Sequence, residues 1–313
     1  MVKKKIKVAV LSGGIGTERD ISLQSGQCVA EALAEAGFRV VAADIRPDNL
    51  EILEDGGVDV FFPALHGAFG EDGQLQQIME DKSLLYTGSG PAASRLAFDK
   101  IASKRLFDRA GIATPRAIEF RSDSDARQLE EQLRRVADRY VVKPIRQGSS
   151  VGVRMVSTPH EALDAARETL GQFGDCMIEE YIPGREVTVG ILCDWALPII
   201  EIRTRSAFYN YHAKYVDEQT QYLFDTITDP AVAANVSRAA VDCFGALGCR
   251  HFARIDFILS DEQIPYVLEA NTIPGFTRHS LLPKAAAKAG LSMSDLCGKI
   301  VEAAYSSLAR RPV

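Results

Sequence analysis

Short apolar runs alternate along this chain with stretches whose apolar residues recur at helical spacing. Ile6-Lys7-Val8-Ala9-Val10-Leu11 reads as a strand running into Gly13-Gly14. A periodic helix follows from about Ser22, and Gly37 suits a left-handed helix end. Strand 38–45, a short helix near 49–55 and the apolar strand 58–65 come next. Strands alternating with helices predict parallel pairing, with crossovers covering both faces of a sheet. Residues 1–90 therefore read as a small doubly wound α/β unit.

Past Pro91 the order changes. A long helix over about 91–110 is followed by strands at 116–120, 140–145, 152–156 and 176–182, which enclose helices at 124–138 and 159–172. Thr158-Pro159-His160-Glu161 is a helix start with a cap, a first-turn proline and a reciprocal glutamate. Strands 185–193 and 196–205 lead to the aromatic-rich stretch 206–226, which has no clear period. Loops that long inside a compact domain are usually functional, so 206–226 is a lid candidate. Asp229-Pro230 opens a helix to about 247, strands 251–260 and 264–272 follow, and helices finish the chain beyond Pro274.

Composition narrows the classes of function. A length of 313 residues suits about two domains, or three small ones. With 46% hydrophobic and 25% charged residues the chain is not of a disordered type. Its net charge of −6 argues against general binding of nucleic acid or anionic membrane, while leaving room for a local phosphate pocket. No run approaches the ~20 apolar residues of a membrane span, and the basic start lacks the apolar core of a signal segment. A cytoplasmic location is expected. The six cysteines form no C-x-x-C pair and lie mostly in apolar stretches, so they read as buried reduced thiols.

The most informative chemistry lies in 251–271. Side chains on a strand alternate faces, so Arg254 and Asp256 share one, as do Glu269 and Asn271. A hairpin with loop 261–264 sets residue 260 opposite 265, which places Asp256 opposite Glu269 and Arg254 opposite Asn271. Ile255, Phe257, Leu268 and Ala270 then take the other face. Two facing carboxylates repel unless something sits between them, and with an amide oxygen they suit a hard cation such as Mg²⁺. The alternative is a solvated face neutralised by Arg254, which fits poorly with strands so apolar on their other side.

Other clusters point to anions and small ligands. Tyr140-Val141-Val142-Lys143-Pro144 delivers a lysine ahead of Gly148-Ser149-Ser150-Val151-Gly152, a loop whose backbone N–H groups and hydroxyls can approach an anion. There is no G-x-x-x-x-G-K-[ST] motif. The first loop, Gly13-Gly14-Ile15-Gly16-Thr17-Glu18-Arg19, misses the dinucleotide fingerprint, and Glu18 there suits an ammonium better than a pyrophosphate. His66 stands among glycines after strand 58–65, where ligands of open α/β sheets bind. Phe208-Tyr209-Asn210-Tyr211-His212-Ala213-Lys214-Tyr215 sits in the expected lid.

Taken in order, these stretches resemble the D-alanine–D-alanine ligases of the ATP-grasp superfamily along nearly the whole chain. The resemblance rests on Glu18-Arg19 to Ser22, His66-Gly67 with Gly70-Glu71-Asp72-Gly73, Lys100, Lys143-Pro144 with Gly148 to Gly152, and Glu179-Glu180-Tyr181 with Glu186. It continues through Lys214-Tyr215, Arg254-Ile255-Asp256, Glu269-Ala270-Asn271, Pro274-Gly275 and Ser280-Leu281. It implies a doubly wound domain over 1–90, then α+β ATP-grasp subdomains over 91–183 and 184–313. By resemblance Asp256, Glu269 and Asn271 hold two Mg²⁺ (or Mn²⁺) ions, while Lys100, Lys143 and the loop with Ser150 neutralise ATP phosphates.

Glu179 and Glu186 would bind adenine and ribose, with Tyr181, Ile182, Phe208 and Leu268 lining the apolar slot and Lys214 reaching in from the lid. Glu18 would take the first D-alanine's ammonium, and His66 would sit by its carboxylate. Arg254 and the Gly275 N–H would form the oxyanion site, and Ser280 with Leu281 would receive the second carboxylate. Tyr215, Ser149 and Glu18 would close the lid as a hydrogen-bonded set. The implied reaction passes through D-alanyl phosphate to D-alanyl-D-alanine, ADP and phosphate, for peptidoglycan synthesis in a homodimer formed through the amino-terminal domain. A D-lactate ligase and a non-catalytic nucleotide-binding module are the competing readings. Tyr215 speaks against the first, since D-lactate relatives carry phenylalanine there, and the full set Arg254, Asp256, Glu269 and Asn271 against the second.

Overall fold

The computed structural model describes residues 6–204 and 220–308. Three sheets account for its strands. The first is parallel, with order β2-β1-β3 for β1 (Lys7–Gly13), β2 (Arg39–Ile45) and β3 (Val60–Pro63), as the alternating pattern required. Helix α1 (Arg19–Glu35) begins three residues before the expected start near Ser22, with Arg19 and Asp20 opening its first turn. It ends at Gly37, whose φ of +91° closes the helix with Phe38 N–H donating to the Leu33 carbonyl. Helix α2 (Gln74–Asp81), which no pattern had marked, follows the left-handed Gly73.

The expected long helix over 91–110 is two helices, α3 (Pro91–Phe98) and α4 (Lys100–Arg109). Asp99 breaks the run: its backbone is extended and its carboxylate accepts from Ala102 N–H at 2.9 Å, capping α4. The break turns Lys100 inward. The second sheet is antiparallel, with order β4-β7-β5-β6 for β4 (Ala117–Phe120), β5 (Tyr140–Pro144), β6 (Arg154–Val156) and β7 (Cys176–Glu180). Helices α5 (Ala126–Val136) and α6 (Pro159–Phe173) accompany it, α6 with the reciprocal Thr158–Glu161 cap.

The third sheet runs β11-β10-β8-β12-β13, with β9 (Trp195–Ala196) paired to β8 (Gly184–Leu192). Its other members are β10 (Ile200–Arg203), β11 (Gln221–Leu223), β12 (Phe252–Ser260) and β13 (Pro265–Asn271). The strand expected over 196–205 is thus two pieces, and part of the expected 206–226 loop is the edge strand β11, too short to show a period. Helix α7 (Pro230–Ala246) covers β8 and β12 through Val236, Ala240 and Phe244. The chain closes with α8 (Leu281–Lys288) and α9 (Met293–Leu308).

Helix α9 packs its Leu296, Ile300 and Val301 with Val29 and Leu33 of α1, so the last helix shares the core of the first sheet. Phe62, Phe252 and Phe276 meet at that junction, with ring centroids 5.4–6.1 Å apart. Cys176, Cys243 and Cys297 are buried as expected, but Cys193 is exposed, because it occupies the left-handed turn between β8 and β9. Among the described residues no helix is long and apolar enough to cross a membrane.

Candidate active site

The ribbon of β12 and β13 sets Asp256 opposite Glu269 and Arg254 opposite Asn271. That pairing matches the sequence count, but by a different route. The turn is one residue tighter than drawn: Gln263 takes φ +63°, and Leu259, not Ser260, faces Pro265. A β-bulge between Asp256 and Phe257 of β12 then restores the register, with Leu268 as the extra residue opposite. Leu268 therefore leaves the core face on which alternation had put it. Val267 is fully buried, while Leu268 joins Glu269 on the cavity side.

Two cavities meet at this ribbon. The larger, about 570 Å³, lies between the second and third sheets and is lined by Lys100, Lys143, Ser150, Asp256 and Glu269. Glu179, Tyr181, Ile182, Glu186 and Leu268 complete the part of its wall anticipated from sequence. The smaller, about 160 Å³, is lined by Glu18, His66, Ser149, Arg254 and Asn271, and by Gly275, Ser280 and Leu281 from the turn before α8. Phe208, Lys214 and Tyr215 lie outside the described residues.

Local chemistry explains these placements. Asp256 is a hub: Arg254 donates Nε to Oδ1 at 2.9 Å and Nη2 to Oδ2 at 2.7 Å, and Asn271 Nδ2 donates to Oδ2 at 2.9 Å. Among the described residues no three His, Cys, Asp or Glu side chains gather as a metal cluster. Two carboxylates and an amide remain, a hard oxygen donor set that fits Mg²⁺ when phosphates and waters supply the other ligands. Lys100 Nζ stands 3.4 Å from Glu269 and donates to the Gln147 carbonyl at 2.7 Å.

The loop 147–152 divides the cavities. Ser149 and Ser150 both take left-handed backbone angles, φ +53° and +56°, uncommon for serine and a local strain. The result sends Ser149 to the small cavity and Ser150 to the large one. Ser149 Oγ donates to Glu18, whose carboxylate nests between Gly67 and Gly148. A Cβ on Gly67 would come within 2.8 Å of Glu18 Oε2, so any other residue there would displace the carboxylate.

Buried charge shapes the larger cavity. Lys143 Nζ lies 2.7 Å from Glu179 Oε2, and Lys104 pairs with the other oxygen. Burial opposes ionisation of Glu179, yet the two lysines outweigh it and hold its carboxyl below the usual range. Burial also brings Lys104 down to about 8 against the attraction of Glu179. Two ammonium groups on one carboxylate leave positive charge at a cavity wall, a setting for a polyanion. Tyr181 is held on its other side by Arg139, whose guanidinium carbon lies 4.1 Å from the ring centroid.

Burial lowers the pKa of His66, which favours its uncharged imidazole. Its Nδ1 meets the Ile273 carbonyl at 3.0 Å and its Nε2 meets Ser25 Oγ at 3.2 Å.

The family model described as D-ala D-ala ligase C-terminus matches residues 106–302. A D-alanine–D-alanine ligase of Citrifermentans bemidjiense is 42% identical over 301 residues, 96% of this chain and 97% of its own length. The chain belongs to the D-alanine–D-alanine ligase family. A second such ligase, from Methylacidiphilum infernorum, is 40% identical over 299 residues and 95% of each chain. The solved D-alanine–D-alanine ligase of Bacillus anthracis, complexed with ATP, superposes with a TM-score of 0.85 at 32% identity, covering 97% of this chain and 98% of its own.

Sequence reading of this ligase-family chain missed Glu71, which lines the smaller cavity, and three residues that hold lining side chains. Lys104 is one helical turn beyond Lys100 and so shares its face. Thr188 of β8 pairs with Asp256 of β12 and donates to its Oδ1 at 2.5 Å; it lies two positions from Glu186, on the same side of the strand. Glu71 stood inside a quoted motif without a role, and it accepts from Gly67 N–H at 2.8 Å. Ser25 carried no signal, since a serine inside an apolar-periodic helix looks like any other.

Proposed function

We propose that this protein is an ATP-dependent ligase that joins two D-alanines through D-alanyl phosphate, releasing ADP and phosphate. The observation that carries the reading is the meeting of two cavities at one ribbon: a large one walled by buried lysines, and a small one with a carboxylate at one wall and a guanidinium at another. In this reading residues 91–183 and 184–313 clamp ATP between their sheets, and residues 1–90 contribute Glu18 and His66 to the amino-acid site.

ATP takes the larger cavity, its base between Tyr181, Ile182 and Leu268, with Glu179 and Glu186 as polar partners for base and ribose. Lys100, Lys143 and the backbone about Ser150 neutralise its phosphates. Asp256, Glu269 and Asn271 would hold two Mg²⁺ or Mn²⁺ ions, which supply further neutralisation of the phosphates. The first D-alanine sets its ammonium on Glu18 and its carboxylate against Arg254 and the Gly275 N–H. Neutral His66 adds an uncharged wall there. That carboxylate attacks the terminal phosphorus, and the amine of the second D-alanine then attacks the acyl carbon and expels phosphate. Arg254 and Gly275 oppose the charge that develops on the tetrahedral oxygen, the kind of stabilisation that typically supplies about 10²–10³ in rate per donor. Ser280 and Leu281, where α8 begins, receive the second carboxylate.

Phe208, Lys214 and Tyr215 would cover both substrates and keep water from the acyl phosphate. The product serves peptidoglycan synthesis in the cytoplasm, and the protein works as a homodimer through its amino-terminal domain. Mass spectrometry of products from ATP, Mg²⁺ and a panel of D-amino and D-hydroxy acids tests the reading. D-alanyl-D-alanine with equal ADP is expected. ADP formation with another acid but none with D-alanine would overturn the substrate, and sedimentation as a monomer would overturn the dimer.

A further inference from the structure

The oxyanion role of Gly275 requires its N–H to be aimed to within a few tenths of an ångström, yet residues 272–280 belong to no strand or helix. What fastens this turn lies 251 residues away in sequence. Phe276 N–H donates to Ser25 Oγ at 3.2 Å. Ser25 Oγ lies 3.2 Å from His66 Nε2, and His66 Nδ1 lies 3.0 Å from the Ile273 carbonyl.

Chemistry assigns every proton in this chain. A carbonyl oxygen only accepts, so Nδ1 of His66 carries the proton and Nε2 is left with its lone pair. Ser25 therefore donates its hydroxyl proton to Nε2 and accepts from Phe276 N–H. Each group is used once in each direction, and Ser25, His66, Ile273 and Phe276 are all buried, where an unmade hydrogen bond is costly. The turn is thus held on both sides of Pro274-Gly275, at the carbonyl before and the N–H after. Edge-to-face packing of Phe276 against Phe62 and Phe252 keeps the second attachment from swinging.

Helix α1 carries both Glu18, at its start, and Ser25, seven residues on. Positions 18, 22 and 25 share one helical face. Ser22 between them accepts from Gly13 N–H and donates to the Ala64 carbonyl, locking that face to the first sheet. One rigid element therefore holds the carboxylate that takes the substrate's ammonium and the hydroxyl that fastens the turn facing its carboxylate.

We propose that Ser25 is a positioning residue for the ligation step, through which α1 fixes the Gly275 N–H at a set distance from Glu18. The inference rests on the reading of Gly275 as an oxyanion donor. Losing the hydroxyl leaves the turn attached on one side only, and the tetrahedral state suffers more than ATP binding does.

Ser25→Ala is assayed with D-alanine, ATP and Mg²⁺, following ADP and dipeptide separately. The expected result is a loss of dipeptide kcat of about tenfold, less than for removal of an oxyanion donor because Gly275 is displaced rather than absent. The KM for ATP stays within twofold of wild type. The ratio of ADP to dipeptide rises above one, because water takes acyl phosphate that ligation no longer captures, returning D-alanine and phosphate. In ¹⁵N spectra the His66 Nε2 resonance shifts while Nδ1 stays protonated. Ser25→Cys, nearly the same size and a weaker donor, should fall between wild type and Ser25→Ala, and it serves where the alanine variant folds poorly. Unchanged dipeptide kcat and coupling in both variants would overturn the inference while leaving the ligase reading intact. So would a loss shared equally by ATP binding and both half-reactions. Wild-type protein that makes no dipeptide from D-alanine would remove the reading itself, and the inference with it.

Discussion

Glu71 is half-buried in the wall of the smaller cavity, accepting from Gly67 N–H at 2.8 Å and facing Glu18, Arg254 and Glu269. Burial first, and then the charge of Glu18, push its carboxyl up to about 8. An acid whose folded pKa is raised binds a proton in the native state that the unfolded chain has already released. Its contribution to stability is complete below the ordinary carboxyl pKa and is lost as pH rises through about 8. Denaturant midpoints measured from pH 5 to 9 should therefore fall with rising pH, and Glu71→Gln, which cannot ionise, should flatten that slope. An equal slope in both proteins would count against a protonated Glu71. Other site residues were readable one by one. Lys143 and Asp256 stood out because a charge inside an apolar pattern has few uses, and Glu18 because a carboxylate in a glycine-rich loop does not suit a pyrophosphate, whereas Ser25 and Thr188 did not. A hydroxyl acts only through its partner, and these partners come from distant parts of the chain.

Among the elements, β13 shows how irregularity builds a site. Strict alternation would bury Leu268 and expose Val267 to the cavity, but the bulge reverses them. The two positions therefore separate stability from binding. Val267→Ala removes fully buried methyl groups and should cost on the order of 2 kcal/mol, with the KM for ATP little changed. Leu268→Ala should leave the melting temperature nearly unaltered and raise the KM for ATP several-fold. Reversed outcomes would mean that the register holds no bulge. The Thr158–Glu161 cap, the Gly37 helix end and the parallel pairing of β1 were legible because each rests on a local rule. The break at Asp99 was not: Ala-Phe-Asp-Lys-Ile continues a helical period, and the Asp99 cap ends one helix to start another where Lys100 docks toward Gln147 and Glu269.

For the molecule as a whole, the last helix completes the core of the first sheet. Leu296, Ile300 and Val301 of α9 are fully buried against α1. At ~1.5–3 kcal/mol for each buried aliphatic side chain, they supply a sizeable part of a net stability of ~5–15 kcal/mol. A chain truncated after residue 291 should lose cooperative unfolding of the first sheet, seen as a broad or absent calorimetric transition. A sharp transition at the wild-type temperature would show that α9 adds little.

Sequence by itself determined most of the elements, the parallel opening sheet, and the ribbon that sets Arg254, Asp256, Glu269 and Asn271 on one face, because strand alternation and helix caps act over a few residues. The bulge at Leu268, the lysine pair on Glu179 and the Ser25–His66 fastening were decided only in three dimensions. Each depends on side chains that burial forces to find partners, and burial belongs to the folded whole.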